Sequence, residues 1–249
     1  MELKDILDLP KKSVVNKKMP KNQFQKMIEK KDFDILTSDV EAIYIYSVLN
    51  KTTTNIMSLK NDEHNISEIM ILNIELRNKN NIKNIKRIFH NSIPNPIILV
   101  LSYEDSIDLS LAMKRLNKHD DMKVIVDEIY SSDFINLEEL KDYENKFLEL
   151  IKITNQPQIN LYELYKGIQN HIVATKLFSY VDNYIDESNN IENVLQLIEK
   201  YEIIDKEIQD YEKNRKTESN FGRQMKWHVK RKKTENKLQE IRQKMKELC

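Results

Sequence analysis

Glycine is almost absent from this chain, and its scarcity restricts the possible folds more than any other feature. Gly167 and Gly222 are the 2 glycines among 249 residues. Glycine provides the backbone conformations of tight phosphate-binding loops, and neither GxGxxG nor GxxxxGK[ST] occurs in the sequence. The abundant Leu, Ile, Lys and Glu favour helices and plain strands instead. We therefore expect regular secondary structure and no glycine-loop nucleotide site.

The apolar pattern of the first half predicts an α+β or α/β domain with a mixed-sheet core. Helical spacing predicts helices over residues 21–30 and 81–91. Runs of β-branched and apolar residues predict strands over residues 40–49, 52–59, 66–76, 97–101, 107–113 and 123–130. The resulting order is helix, three strands, helix, strand, and then two further strands.

The second half of the chain is predicted to be helical. Apolar spacing indicates helices over residues 137–153, 161–185, 191–211 and 218–248, with a break at Pro157. The last two are expected to form a charged, coiled-coil-like hairpin, either within one chain or between chains. The predicted domains are a basic N-terminal arm (residues 1–20), an α/β core (residues 21–135) and a helical region (residues 136–249).

Charge is balanced overall but is arranged in blocks. The chain has 40 Lys and Arg residues against 40 Asp and Glu residues. Lysines dominate residues 1–31, acidic residues dominate residues 186–212, and cations dominate residues 215–237. Such blocks either pair neighbouring helices with each other or contact a polyanion such as nucleic acid.

Two cationic segments are predicted to contact nucleic acid. Lys and Arg neutralise phosphates, and a Trp among them can stack on an exposed base. The alternative is that Trp227 packs on a partner helix while the cations form a solvated face. The candidate residues are Arg223, Lys226, Trp227, Lys230, Arg231, Lys232 and Lys233, together with Lys17, Lys18 and Lys21 near the start of the chain.

The predicted element order also matches the core of restriction-endonuclease-like nucleases, which provides an enzymatic alternative. Such cores bind a divalent metal through an acidic residue and a Glu-x-Lys on adjacent strands. Glu75 and Arg77 stand where Glu-x-Lys would be. The expected strand lacks an acidic partner, and Asp62 and Glu63 in the turn before it are near. An Arg in that place cannot give up its proton, and both residues could instead be solvent-facing strand positions. Mg²⁺ is the cofactor of this alternative, whereas the main prediction involves no cofactor.

Other chemical signatures are missing from the sequence. The 5 histidines are scattered, Cys249 is the single cysteine, and there is no GxSxG motif. We therefore predict no metal site and no nucleophile elbow. No apolar run approaches the roughly 20 residues that span a bilayer, and the first residues lack a signal-peptide pattern. With no disulfide framework, these features predict a cytoplasmic protein without membrane contact.

Several short motifs resemble a family of uncharacterised prokaryotic proteins, a domain of unknown function. They are residues 9–10 (LP), 16–24 (NKKMPKNQF), 74–77 (IELR), 92–98 (SIPNPII) and 111–115 (LAMKR), and the resemblance covers about residues 7–170. It implies a small partner of a helicase and a DNA methyltransferase in restriction-like or phage-defence gene islands. It provides no catalytic residues.

We therefore expect a non-catalytic accessory subunit that contacts nucleic acid, a helicase or methyltransferase partner, or both. A metal-dependent nuclease is one alternative. The other is a protein-interaction module that assembles through its C-terminal helices, for example as a homo-oligomer.

Overall fold

A computed structural model of the chain describes residues 2–117, 120–181 and 191–247. The chain divides into two compact units, Met1–Ile172 and Val173–Cys249. The strands are β1 (Val14–Lys18), β2 (Val40–Asn50), β3 (Leu59–Lys60), β4 (Asn65–Ile66), β5 (Glu68–Leu76), β6 (Ile97–Tyr103), β7 (Ser106–Asn117) and β8 (Asp120–Asn136). The helices are α1 (Leu3–Ile6), α2 (Lys30–Asp39), α3 (Lys51–Thr54), α4 (Ile82–Ser92), α5 (Asp142–Leu150), α6 (Leu161–Val181), α7 (Ile191–Thr217) and α8 (Phe221–Glu247).

One mixed sheet organises the first unit. Its six described strands lie in the order β1-β2-β5-β6-β7-β8. Strands β5 and β6 are parallel, and the other neighbouring pairs are antiparallel. Parallel neighbours need a crossover connection, which α4 provides here. The mixed sheet and the long C-terminal helices confirm the predicted α+β class.

Each face of the sheet carries its own hydrophobic core. Side chains alternate along a strand, so Ile71 and Leu72 of β5 point to opposite faces. The Ile71 face packs against α5 and α6, and the Leu72 face packs against α2 and α4. Coverage of both faces explains why all five residues of the apolar run 97–101 are fully buried, as the sequence predicted.

The predicted strand over residues 52–59 is wrong, because local hydrogen bonds favour a helical turn there. The Asn50 side chain accepts hydrogen bonds from the amides of Thr52 and Thr53, at 2.9 and 3.1 Å. This capping starts α3, which ends at the left-handed Asn55. The remainder of the range contributes only β3, which pairs with β4 outside the main sheet.

The beginning of the chain also differs from its prediction. Helix formation over residues 21–30 is limited to a short 3-10 segment, and the regular helix α2 starts at Lys30. The Phe24 ring is buried edge-on against Phe89, with centroids 5.1 Å apart, which anchors the chain in a turn. Residues 1–20, for which a basic arm was predicted, contain β1 and the buried Leu7.

The second unit contains the end of α6 and the helices α7 and α8. Residues 218–220 join α7 to α8, and the Asn220 side chain accepts a hydrogen bond from the Arg223 amide at 3.1 Å. This contact caps the start of α8. Among the described residues, no helix combines the length and apolar character needed to cross a membrane.

Candidate functional site

Helices α7 and α8 place the acidic and basic blocks of the sequence side by side. Contacts made later in α7 meet residues earlier in α8, so the helices form an antiparallel hairpin within the chain. The contacts are Tyr211 stacked on Trp227 with ring centroids 5.9 Å apart, Glu212 accepting from Arg231 at 3.0 Å, and the Tyr201 hydroxyl accepting from Arg242 at 2.8 Å.

Glu212 is the centre of an ion-pair cluster inside this hairpin. Arg215 donates to Glu212 at 2.7 Å, and this hydrogen bond, with the added charges of Arg231 and Lys216, lowers the pKa of Glu212 to about 2. Arg231 also lies 3.3 Å from Glu235. The guanidinium of Arg231, a predicted nucleic-acid contact, is therefore engaged between the two helices.

Trp227 has a structural position as well. One helix turn separates it from Lys230, whose ammonium lies 4.8 Å from the Trp227 ring centre. The ring is half-buried and stacks on Tyr211. This position agrees with the alternative prediction that Trp227 packs on a partner helix. Lys232 lies 3.1 Å from Glu235. The Trp227–Tyr211 stacking joins the two helices, whereas the contacts of Lys230 and Lys232 lie within α8.

Six further cations of α8 lie on one exposed side of the helix, and we call them the cationic row. Its members repeat at intervals of three, four or seven residues, which places them on one side of an α-helix. Within the described ranges, Glu218 is the one carboxylate within ion-pair distance of any of them, 3.9 Å from Arg223. The row consists of Arg223, Lys226, Lys230, Lys233, Lys237 and Lys244, all exposed.

The predicted N-terminal contacts divide into two kinds. Lys17 and Lys18 are exposed on β1, which is the edge strand of the described sheet. The Lys18 ammonium lies 5.9 Å from the Tyr44 ring centre. Lys21 instead donates to the Val40 carbonyl, and burial lowers the pKa of Lys21. Two of the three lysines are thus accessible at a sheet edge.

The proposed nuclease residues Glu75 and Arg77 face different surroundings. Arg77 donates to the Glu41 carboxylate at 2.5 Å and to the Thr37 carbonyl at 2.9 Å. Glu75 lines a polar cavity of about 480 Å³ on the other side of the strand end. Arg77 is absent from the described lining of that cavity.

Asp62 lies at the opposite end of the sheet from Glu75. It occupies the bend between β3 and β4, where the neighbouring His64 ring bonds the Lys114 carbonyl of β7 at 3.0 Å. Glu75 pairs with Ser102 near the end of β6, whereas β7 reaches Lys114 beyond the start of β6. The three nuclease candidates are therefore not brought together. Within the described residues, no three His, Cys, Asp or Glu side chains are placed to hold a metal ion.

A group of polar side chains that sequence reasoning missed lies between α4 and strands β7 and β8. We call it the buried polar seam. The Ser131 hydroxyl donates to Asp108 at 2.8 Å, and Lys86 contacts both residues. The His90 ring lies 3.1 Å from the Ser110 hydroxyl. The seam consists of Lys86, His90, Asp108, Ser110, Lys114 and Ser131.

Spacing in the sequence contains a signal for this seam. Asp108 and Ser110 are two residues apart on β7, so they share a face, and Lys86 and His90 are four apart on α4. Apolar residues 107, 109, 111 and 113 alternate along β7, a pattern that is typical of a half-buried strand. The opposite face is covered as well, because α4 lies over it and buries Asp108 and Ser110.

Burial shifts the protonation equilibria of the seam. Desolvation, with the nearby charges of Lys114 and Lys86, lowers the pKa of His90 to about 3. Desolvation also lowers the pKa of Lys114 to about 7, although its ammonium donates to the Asn95 carbonyl at 2.8 Å. Burial raises the pKa of Asp108, and Lys86 and Ser131 oppose that rise. Such shifts are frequent at functional sites and in structural ion-pair networks.

A cavity of about 540 Å³ opens beside one end of the seam. We call it the α4–β8 cavity. Lys79, Lys83 and Lys86 lie along one part of its lining, and Ile129 and Phe134 of β8 lie along another. The cavity therefore combines amines with apolar surface.

Comparison with protein families assigns most of the chain to one group. A family profile described as a domain of unknown function, DUF4391, matches residues 7–238. The match includes most of α8 and therefore extends well beyond residues 7–170, the range that the short motifs indicated. Comparison with curated proteins gives no match. Comparison with solved structures gives no match either. The chain belongs to the DUF4391 family.

Proposed function

We propose that this protein is a non-catalytic accessory subunit that contacts nucleic acid through the cationic row of α8. The observation that carries the proposal is the regular spacing of the cations from Arg223 to Lys237, which follow each other at intervals of three or four residues. Lys226, Lys230 and Lys233 are exposed on one side of the helix, and no carboxylate of the described residues lies within ion-pair distance of them. Pairing between α7 and α8 uses Arg231 and leaves this side of α8 to other partners.

The chemistry of the row fits a polyanion. Phosphates bound by Lys and Arg release condensed counterions, so affinity falls as salt rises. A row of point charges on a helix contacts the phosphate backbone and carries no direct base readout. The proposed binding is therefore electrostatic and largely independent of sequence, which suits a subunit that holds nucleic acid for another protein.

The family resemblance is the only support for the identity of that other protein. We propose a helicase or a DNA methyltransferase of a restriction-like or phage-defence system, with the complex located in the cytoplasm. The proposed role requires no cofactor, because binding through ammonium groups involves no chemical step.

Fluorescence anisotropy with labelled DNA and RNA tests this function. We expect affinity to fall steeply between about 50 and about 200 mM salt. A K226Q/K230Q/K233Q variant should bind more weakly and should have a smaller salt dependence, because the log–log slope changes by roughly 0.9 for each phosphate that the protein no longer neutralises. A K30Q/K31Q/K51Q variant, which removes three exposed lysines elsewhere, is the matched control.

The same assay distinguishes the nuclease alternative from the accessory role. With Mg²⁺ present, the probe should stay intact on a gel, and E75Q should bind like the wild type. If the wild type cleaves the probe and E75Q does not, the protein is a nuclease and the proposed accessory role is wrong. Equal affinities of the row variant and its control would refute binding through α8.

Assembly through α8 is a second candidate function, favoured by an apolar stripe. Phe221, Met225 and Val229 follow each other at four-residue intervals and are 75%, 46% and 61% exposed. Exposed apolar side chains on one helix face are typical of helix-mediated contacts. Light scattering over a range of concentrations should show a homo-oligomer that M225Q/V229Q dissociates, whereas I159Q, at a 74% exposed isoleucine outside the stripe, should not. A monomer at all concentrations would exclude self-assembly.

A further inference from the structure

The α4–β8 cavity has the size and composition of a small-molecule site. Its volume of about 540 Å³ lies within the range of roughly 300 to 1,000 Å³ that is common for ligand pockets. Such pockets combine apolar walls with a few polar groups that orient the ligand. Here Ile82, Ile129 and Phe134 provide the apolar wall, and the polar groups are mainly amines.

Two of the three lysines are held in place at this cavity. The Lys79 ammonium lies 4.1 Å from the ring centre of Phe134 and 5.1 Å from that of Tyr103, so the two rings attract it to the rim. Lys86 is held at the inner end by Asp108 and Ser131. Cations positioned in advance lose less conformational entropy when an anion binds.

Lys83 provides the third amine, and it is exposed. In the part of the chain that the structure describes, no carboxylate lies within ion-pair distance of Lys83 or Lys79. Asp108 compensates the charge of Lys86, and Asp133 is the other carboxylate of the described lining. Three ammonium groups against two carboxylates leave a positive balance, which selects an anionic ligand.

The apolar wall restricts the chemical class of the ligand further. An inorganic anion would leave Ile129 and Ile82 without a partner, whereas a ring-bearing body would cover them. A phosphate on such a body is an anion that several lysines can share. We propose that the α4–β8 cavity binds a nucleoside monophosphate, with the phosphate at Lys79 and Lys83 and the nucleoside against the apolar wall.

This ligand chemistry has two sources, a free nucleotide and the phosphorylated end of a nucleic-acid strand. The site lies on residues other than the cationic row of α8, so its test is independent of the proposed function. The K226Q/K230Q/K233Q background, which removes three cations of the row, allows both sources to be compared with little contribution from α8.

Titration with N-methylanthraniloyl-labelled AMP, followed by its fluorescence, tests the site in the full chain. We expect saturable binding that K83Q and K79Q each weaken about tenfold, because each substitution removes a charged hydrogen-bond donor to the phosphate. K60Q, at an exposed lysine of β3, should bind like the wild type. Unlabelled AMP should displace the probe, and adenosine should need about a hundredfold higher concentration, because it lacks the phosphate that both lysines bind.

A short oligonucleotide identifies the source. Displacement of the probe by a 5′-phosphorylated trinucleotide, but not by its 5′-hydroxyl form, would assign the site to strand ends. Displacement by AMP alone would assign it to free nucleotides. The proposal is overturned if neither displaces the probe, if no saturable binding occurs, or if K83Q and K60Q bind equally while their circular dichroism matches the wild type.

Discussion

Lys86 on α4 and Asp108 on β7 form an ion pair that is shielded from solvent, with side chains 8% and 1% exposed. Removing water from two charges is costly, so such a pair contributes little net stability, but the loss of one partner leaves a buried charge uncompensated. The pair connects the crossover helix to the second half of the sheet, at the inner end of the α4–β8 cavity.

Substitution D108A should lower the free energy of unfolding by about 3–5 kcal/mol, because it leaves Lys86 buried without a counter-ion. Urea unfolding measures the change. D127A is the matched control, since Asp127 pairs with Arg115 at 3.0 Å with both side chains nearly half exposed, and it should cost at most about 1 kcal/mol. If D108A fails to fold, K86M/D108L should restore folding, because it removes both charges. Equal effects of D108A and D127A would contradict the ion pair.

His90 should make the protein sensitive to acid. Its pKa is lowered from 6.5 to about 3 in the fold, so between these values the unfolded chain binds a proton that the folded chain does not. Stability therefore decreases as pH falls through this window, by at most about 1.4 kcal/mol per pH unit from this group. Above the window the group is neutral in both states and contributes no pH dependence.

Urea midpoints measured from about pH 7 to about pH 4 should fall less steeply for H90Q than for the wild type. Lys86 and Lys114, the charged groups facing His90, remain in both proteins. H228Q, which removes a histidine of α8 outside the seam, is the matched control substitution. Parallel pH profiles of H90Q and the wild type would refute a neutral, buried His90.

The two glycines should respond differently to alanine. At Gly167 in α6, an added Cβ would lie 2.6 Å from the Gln156 side-chain oxygen and 2.8 Å from the Pro157 ring. We expect G167A to cost about 1–3 kcal/mol in urea unfolding through overpacking. At Gly222 the nearest atom is the Asn220 side-chain oxygen at 3.2 Å, so G222A should range from neutral to a gain of about 1 kcal/mol in helix stability. A neutral G167A would show that the Gln156–Pro157 segment yields easily.

Trp227 should stabilise the hairpin without contributing to nucleic-acid binding. W227A should lower the melting temperature of the helical circular dichroism signal, because it removes the stacking on Tyr211. W227L keeps an apolar side chain and should change DNA affinity less than twofold. Stacking of a base on Trp227 would instead be worth about 1–3 kcal/mol, and an affinity loss of that size in a folded W227L would establish base contact.

Much of the fold follows from local patterns in the sequence. The apolar run 97–101 predicted a buried strand, and the helical spacing over residues 81–91 predicted α4, because both signals are contained in neighbouring residues. Residues 52–59 show where such signals fail. Their composition resembles a strand, but side-chain caps from Asn50 and Thr53 stabilise a helical turn.

The candidate sites likewise include one that local sequence patterns indicate and one that they do not. Four members of the cationic row, Arg223, Lys226, Lys230 and Lys233, were among the residues predicted from the sequence, because they lie on one helix at spacings that a single sequence displays. Lys237 and Lys244 were not among them. The buried polar seam could not be predicted, because Lys86, Asp108 and Ser131 are separated by more than 20 residues at each step. Periodicity reports which face of an element is polar, but only the tertiary structure decides which faces meet. Packing of α4 on β7 and β8 turned polar strand positions into buried, paired charges.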